Sequence, residues 1–151
     1  MRKILMASAL IALPLTAFAA PAEDVAEARK GFYKLLGIEM DGLVSMVKGE
    51  TEYSAEKAQG HAADIKTLTQ YNMGDIYAPG TSNADLPGKT RALPAIWEDG
   101  AGVQEKGMAF VKAVENLNAV AVDGKDELAK AVQQLGGACK ACHDDYRAKD
   151  F

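Results

Sequence analysis

Near its C-terminus the chain carries Cys139-Lys140-Ala141-Cys142-His143, and no other stretch restricts the possible folds so sharply. Two thiols three positions apart share a face when the backbone is helical, so both sulfurs can reach one edge of a flat macrocycle. A histidine directly after the second thiol can offer a ring nitrogen to a metal at the macrocycle's centre. This is the attachment signature of c-type haem: Cys139 and Cys142 as covalent anchors of one haem, His143 as axial ligand of its iron. A fold that hosts it must leave room for a porphyrin beside a helix.

Three rival chemistries fit the same five residues less well. A thioredoxin-type pair sits at a helix N-terminus just after a strand, where the helix dipole lowers a thiol pKa. Here the pair lies deep in a helical pattern that no strand precedes. A zinc site needs four ligands, yet the inventory is Cys139, Cys142, His143 and His61, two of them adjacent in sequence. A disulfide within one helical turn would strain the bond or unwind the helix.

Residues 1–19 begin with Arg2 and Lys3, continue as an apolar run broken by Pro14, and end in Ala17-Phe18-Ala19, an A-x-A cleavage pattern. That is the layout of a secretory signal peptide, too short to span a bilayer and followed by no stop-transfer segment. Residues 20–151 are then one exported domain, expected in the periplasm. The formal charge of the whole chain is −4, and loss of Arg2 and Lys3 makes it more acidic. An acidic chain of this kind is a poor partner for nucleic acid or for an anionic membrane.

Helical periodicity recurs four times. Helix A spans 22–47, with Val25, Ala28, Phe32, Leu35, Leu36, Met40, Leu43 and Val47 inward, three glycines (Gly31, Gly37, Gly42) inside it, and Gly49 as C-terminal cap. Helix B starts from Ser54 as N-cap and turns Ala55, Ala58, Ala62, Ile65, Leu68 and Tyr71 inward, with His61 beside that stripe. A turn-rich connection runs from Gly74 to Pro94, long enough to have a task such as covering a cofactor edge. Pro94-Ala95-Ile96-Trp97 reads as a short helical turn with Trp97 as anchor. Helix C places Val103, Gly107, Phe110, Val111, Val114, Leu117 and Ala121 on one side. After Asp123-Gly124, helix D carries Leu128, Ala131, Val132, Leu135, Cys139 and Cys142 inward. The fold expected is all-α, an antiparallel four-helix bundle with haem near the C-terminal helix.

The C-terminal Cys139-Lys140-Ala141-Cys142-His143-Asp144-Asp145-Tyr146-Arg147, Arg29 followed by Tyr33, Val47-Lys48-Gly49, Pro79-Gly80-Thr81 and Pro94-Ala95-Ile96-Trp97 together resemble the cytochrome c′ family, the class II c-type cytochromes of bacterial periplasm. The resemblance covers essentially the whole chain after residue 19. It implies high-spin, five-coordinate iron with His143 on one side and Tyr33, four residues after Arg29, on the other. Low-spin relatives place Met at that position. Met40 lies seven residues further on, roughly 10 Å by helical rise, too far to substitute. The resemblance also implies a distal side so crowded that nitric oxide and carbon monoxide enter only when Tyr33 moves. Nitric oxide weakens the opposite bond, and family members can lose the proximal histidine. Arg147 matches the family's proximal-side arginine, with a surface cation at a helix end as the plainer reading. Arg29, and less strongly Arg91, are candidates for haem propionates. Homodimers through helices A and B are frequent in the family, and Gly42 and Ala58 are small enough for such a surface.

Two functions share these features: a gas-binding haem protein, and an electron carrier with an unknown redox partner, whose low-spin form is the alternative. A thiol oxidoreductase using Cys139 and Cys142 is a remote third. No enzyme constellation is present, since Asp144, Asp145, Glu98 and Asp99 read as solvated carboxylates.

Overall fold

The computed structural model describes residues 20–151, so the expected signal peptide lies outside the described residues. Helices α1 (Ala22–Lys48), α2 (Ala55–Leu68), α4 (Gly100–Val120) and α5 (Lys125–Tyr146) form an antiparallel four-helix bundle. The short α3 (Ala95–Glu98) and a 3-10 turn (Met73–Ile76) lie on the long crossover between α2 and α4. Around the bundle α1 touches α2 and α5, and α4 touches α5 and α2. No helix among the described residues is long and apolar enough to cross a membrane.

The helix ends follow local chemistry. Gly49 adopts φ 79°, a conformation a side chain resists, and donates its N–H to Met46 O at 3.2 Å to close α1. Ser54 Oγ accepts from Lys57 N at 3.3 Å and starts α2. Gly124, at φ 112°, turns the chain into α5, where Asp126 and Glu127 sit favourably against the helix dipole.

Leu43, Ile65, Leu117, Leu128 and Leu135 are fully buried, one or two from each long helix, with Ala58, Ala62 and Ala121 filling the spaces between. Burying each leucine or isoleucine contributes about 1.5–3 kcal/mol. At the same end Tyr53 Oη donates to Ala121 O at 3.0 Å and accepts from Gly124 N at 3.2 Å, tying the α1–α2 connection to the α4–α5 turn.

Several inward assignments need correction. Ala28 and Leu35 of α1 face outward, Leu35 at 53% exposure, while Arg29 is buried in their stead. The buried line of α1 runs through Val25, Arg29, Leu36, Leu43 and Met46, and residues 28 and 35 fall on the neighbouring strip. Val111 of α4 and Tyr71, beyond the end of α2, are likewise exposed. Gly42 and Ala58 are not surface residues for a partner: Ala58 is wholly buried in the core, and a Cβ on Gly42 would meet the His61 ring at 2.5 Å. His61 lies over Gly42 with Nδ1 2.7 Å from Glu39 Oε2, joining α2 to α1. Gly31 and Gly37 have open space around them, so no close approach explains them.

Candidate haem site

Cys139 and Cys142 lie one turn apart on α5, both as free thiols and both half-buried. Burial pushes each thiol upward in pKa, in the direction opposite to the activation that thiol-redox chemistry needs. His143 follows on the exposed side of the same helix. Desolvation, then the positive charge of Arg91, holds its imidazole below the usual pKa, which favours the neutral ring that binds a metal.

Across from His143 stands Tyr33 of α1, its ring centroid 6.4 Å away and its plane inclined by 69°. The two residues expected on opposite axial sides therefore face one another between α1 and α5. Burial, with Tyr77 adding to it, pushes the Tyr33 phenol well above its ordinary pKa, so the hydroxyl keeps its proton. That hydroxyl is engaged: Tyr33 Oη and Tyr77 Oη share a hydrogen bond at 2.8 Å. A protonated, hydrogen-bonded phenol is a weak iron ligand, which suits Tyr33 to covering a coordination position instead of filling it.

Arg29 is deeply buried at 4% exposure, and within the chain its guanidinium is committed to the crossover. Nη1 donates to Ile76 O at 3.0 Å and Thr81 Oγ1 at 2.9 Å; Nη2 donates to Thr81 O at 2.7 Å and Thr90 Oγ1 at 3.1 Å. Its guanidinium carbon also lies 5.1 Å from the Tyr77 ring centre and 5.8 Å from that of Trp97. One side chain thus gathers three places along a long loop that has no apolar core of its own. Trp97 donates from Nε1 to Tyr77 O at 2.9 Å, so it fixes the loop as well as filling space.

The crossover also clasps the end of α5. Ala92 bridges antiparallel to Arg147, Leu93 N donates to Tyr146 O at 3.0 Å, and Ala148 N donates to Arg91 O at 2.8 Å. Arg147 stands beyond the last helical residue in extended backbone with its side chain exposed, so it does not continue the His143 face of the helix as its spacing suggested. Arg91 donates to Lys149 O at 2.8 Å and lies over the Phe151 ring. Asp99, expected to be merely solvated, has two partners: Oδ1 accepts from Gly102 N at 3.0 Å and Oδ2 accepts from Tyr146 Oη at 2.6 Å. A Cβ at Gly102 would fall 2.2 Å from both Asp99 Oδ2 and Tyr146 Oη, so glycine there is what permits this lock. Asp144 pairs with Lys140, and Asp145 with Lys106 at 3.1 Å.

The donor set fits a covalent porphyrin: two free thiols on one helical face, an adjacent neutral imidazole, and an aromatic ring opposite it across a gap between helices. Tyr77, Thr81 and Thr90 are the contributors that sequence reading did not single out for a role. The sole advance signal was the Pro79-Gly80-Thr81 turn.

The family described as Cytochrome C' matches residues 24–147. This chain belongs to the cytochrome c′ family. A cytochrome c′ of Cereibacter sphaeroides is 52% identical over 149 residues, covering 99% of each chain. The solved structure of a cytochrome c′ from Rhodobacter spheriodes superposes with a TM-score of 0.83 at 52% identity, covering 86% of this chain and 99% of that one. Two variants of the cytochrome c prime of Alcaligenes xylosoxidans, one ferrous with nitric oxide bound and one with carbon monoxide bound, have TM-scores of 0.76 and 0.75 at 30% and 31% identity. They cover 87% and 86% of this chain, and each comparison spans 98% of the variant. Membership of the cytochrome c′ family implies covalent haem c and places the chain among non-enzymatic haem proteins.

Proposed function

We propose that this cytochrome c′ is an exported, high-spin haem protein that binds small diatomic gases, nitric oxide and carbon monoxide above all. Cys139 and Cys142 hold one haem covalently and His143 is its axial ligand. The bound group supplies an iron able to coordinate a diatomic molecule; the chain decides which molecules reach it and from which side. Tyr33 covers the distal position, and a ligand enters there only as the phenol ring swings aside. The observation that carries this reading is the facing of Tyr33 and His143, with the Tyr33 hydroxyl already bonded to Tyr77. The gas complexes of the Alcaligenes relative point the same way.

The low-spin electron-carrier alternative requires a strong sixth ligand. Met40, the methionine of α1 considered for that place, packs against the bundle core two turns beyond Tyr33. Of the three arginines, Arg29 acts indirectly, by holding the crossover, while Arg91 and Arg147 are the candidates for contact at the haem edge. Residues 1–19 direct export to the periplasm and are removed. Leu35, Ile38 and Tyr71, exposed at 53%, 60% and 49%, form the surface on which a second copy would dock in a homodimer.

The test is the absorption and resonance Raman spectrum of the purified ferrous protein, before and after nitric oxide. High-spin bands at rest that change on gas addition are expected, and low-spin bands at rest overturn the assignment of Tyr33.

A further inference from the structure

We infer that Tyr77 is the positioning residue of the distal gate: its hydroxyl holds the Tyr33 ring closed, and Arg29 and Trp97 hold Tyr77. This rests on the reading of Tyr33 as the distal cover and goes beyond it, because Tyr77 belongs to the crossover and to no part of the attachment motif.

Tyr33 by itself is poorly restrained. It sits on α1 with 39% of its surface exposed, and its aromatic neighbours there are Phe32, edge-on at 5.2 Å, and His143. A tyrosine so placed has more than one staggered rotamer within reach. The 2.8 Å bond from Oη to Oη changes this, because the ring tip is tied 44 residues along the chain. Tyr77 is a firm post for that tie. Its carbonyl accepts from Trp97 Nε1, the Arg29 guanidinium lies over its ring, and the same guanidinium donates to Ile76 O next door. The Trp97 ring adds a tilted contact, centroid to centroid 6.4 Å. Swinging Tyr33 aside therefore breaks one hydroxyl bond, while Tyr77 stays where three other contacts keep it. Gas admission is set by the strength of a bond between two loop-and-helix phenols and not by the bulk of Tyr33 alone.

The experiment uses the haem-loaded protein and three variants: Tyr77→Phe, Tyr33→Phe and the double variant. Each single change removes one hydroxyl and keeps both rings. Loss of one neutral hydrogen bond should speed carbon monoxide association by about two- to tenfold. The double variant should be no faster than either single one, since both singles delete the same bond. Independently of gas binding, isotope-edited infrared spectra of ring-labelled tyrosine should lose the hydrogen-bonded C–O band of Tyr33 in Tyr77→Phe. Should Tyr77→Phe prove unstable, Tyr33→Phe breaks the bond from the other side and leaves the Arg29 and Trp97 contacts intact. Additive rate increases, or an unchanged rate and infrared band in both single variants, overturn the inference. If Tyr33→Ala speeds association while Tyr77→Phe does not, the gate survives and its post does not; if Tyr33→Ala also changes nothing, the distal role of Tyr33 itself fails.

Discussion

The two ends of this bundle are built from different materials. At the end holding Leu43, Ile65, Leu117, Leu128 and Leu135, apolar side chains from all four long helices interlock with alanines, and the polar ties are few. At the motif end Arg29, Thr81, Ser82 and Thr90 are buried instead, and order comes from hydrogen bonds between a long crossover, α1 and the end of α5. The difference teaches that apolar packing and polar ties dominate different parts of the bundle, although the apolar cluster reaches as far as Cys139. The apolar end has nothing to admit; on the function proposed above, the other holds aromatic rings in place and yet releases one of them.

This contrast can be broken by mutation. Leu117→Ala should cost about 2–5 kcal/mol in chemical denaturation, since it opens a cavity in the closed end, and should leave gas association unchanged. A change in association rate of the same order as the loss of stability would mean the two ends are not separate. Arg29→Met should cost less, about 2–3 kcal/mol, by stranding the buried carbonyls of Ile76 and Thr81. Its signature is local: amide exchange should accelerate between residues 76 and 90 and at Tyr33, with the closed end still protected. Exchange that rises evenly through all four helices would contradict the picture of one residue gathering the loop.

A pH series sharpens the comparison with the smallest effect. Tyr146, donating to Asp99, is pushed up to about 12, and burial pushes Tyr33 and Tyr77 upward too. A phenol with a higher pKa folded than unfolded contributes stability that is whole below about pH 10 and is lost as pH rises through the folded value. Stability should therefore decline from about pH 10 upward, and all of these phenols lie at the motif end. Asp85 and Asp99, held below the ordinary carboxylate range by Ser82 and Tyr146, act at the other extreme: their share is present above about pH 4 and lost below it. Tyr146→Phe should flatten part of the alkaline decline; an unchanged slope in that variant would remove Tyr146 from the account.

Much of the closed end was legible in the sequence, because leucines and alanines at helical spacing mark a buried stripe whatever they touch. Ser54 and Gly49 announced their helix ends for equally local reasons. Legibility failed where a residue's surroundings lie far away in sequence. The acceptors of Arg29 within the chain are two main-chain carbonyls and two threonines 47 to 61 residues distant, and carbonyls leave no mark in composition. Leu35 falls within the apolar spacing of helix A, whereas it borders an outward cleft of about 350 Å³ shared with Phe32, Leu68 and Tyr71. At the motif itself, residue types dictated the chemistry to be expected, while Tyr77 stayed hidden because a loop tyrosine has no periodicity to place it.

The clasp between the crossover and the tail has a practical side. Phe151 lies 5.6 Å from the Arg91 guanidinium, which is also held by the carbonyl of Lys149, and that same guanidinium bears on the protonation of His143. Purification handles and fluorophores appended to the last residue would therefore pull on a charge that His143 feels. Spectra from such fusions would describe the appendage along with the cytochrome.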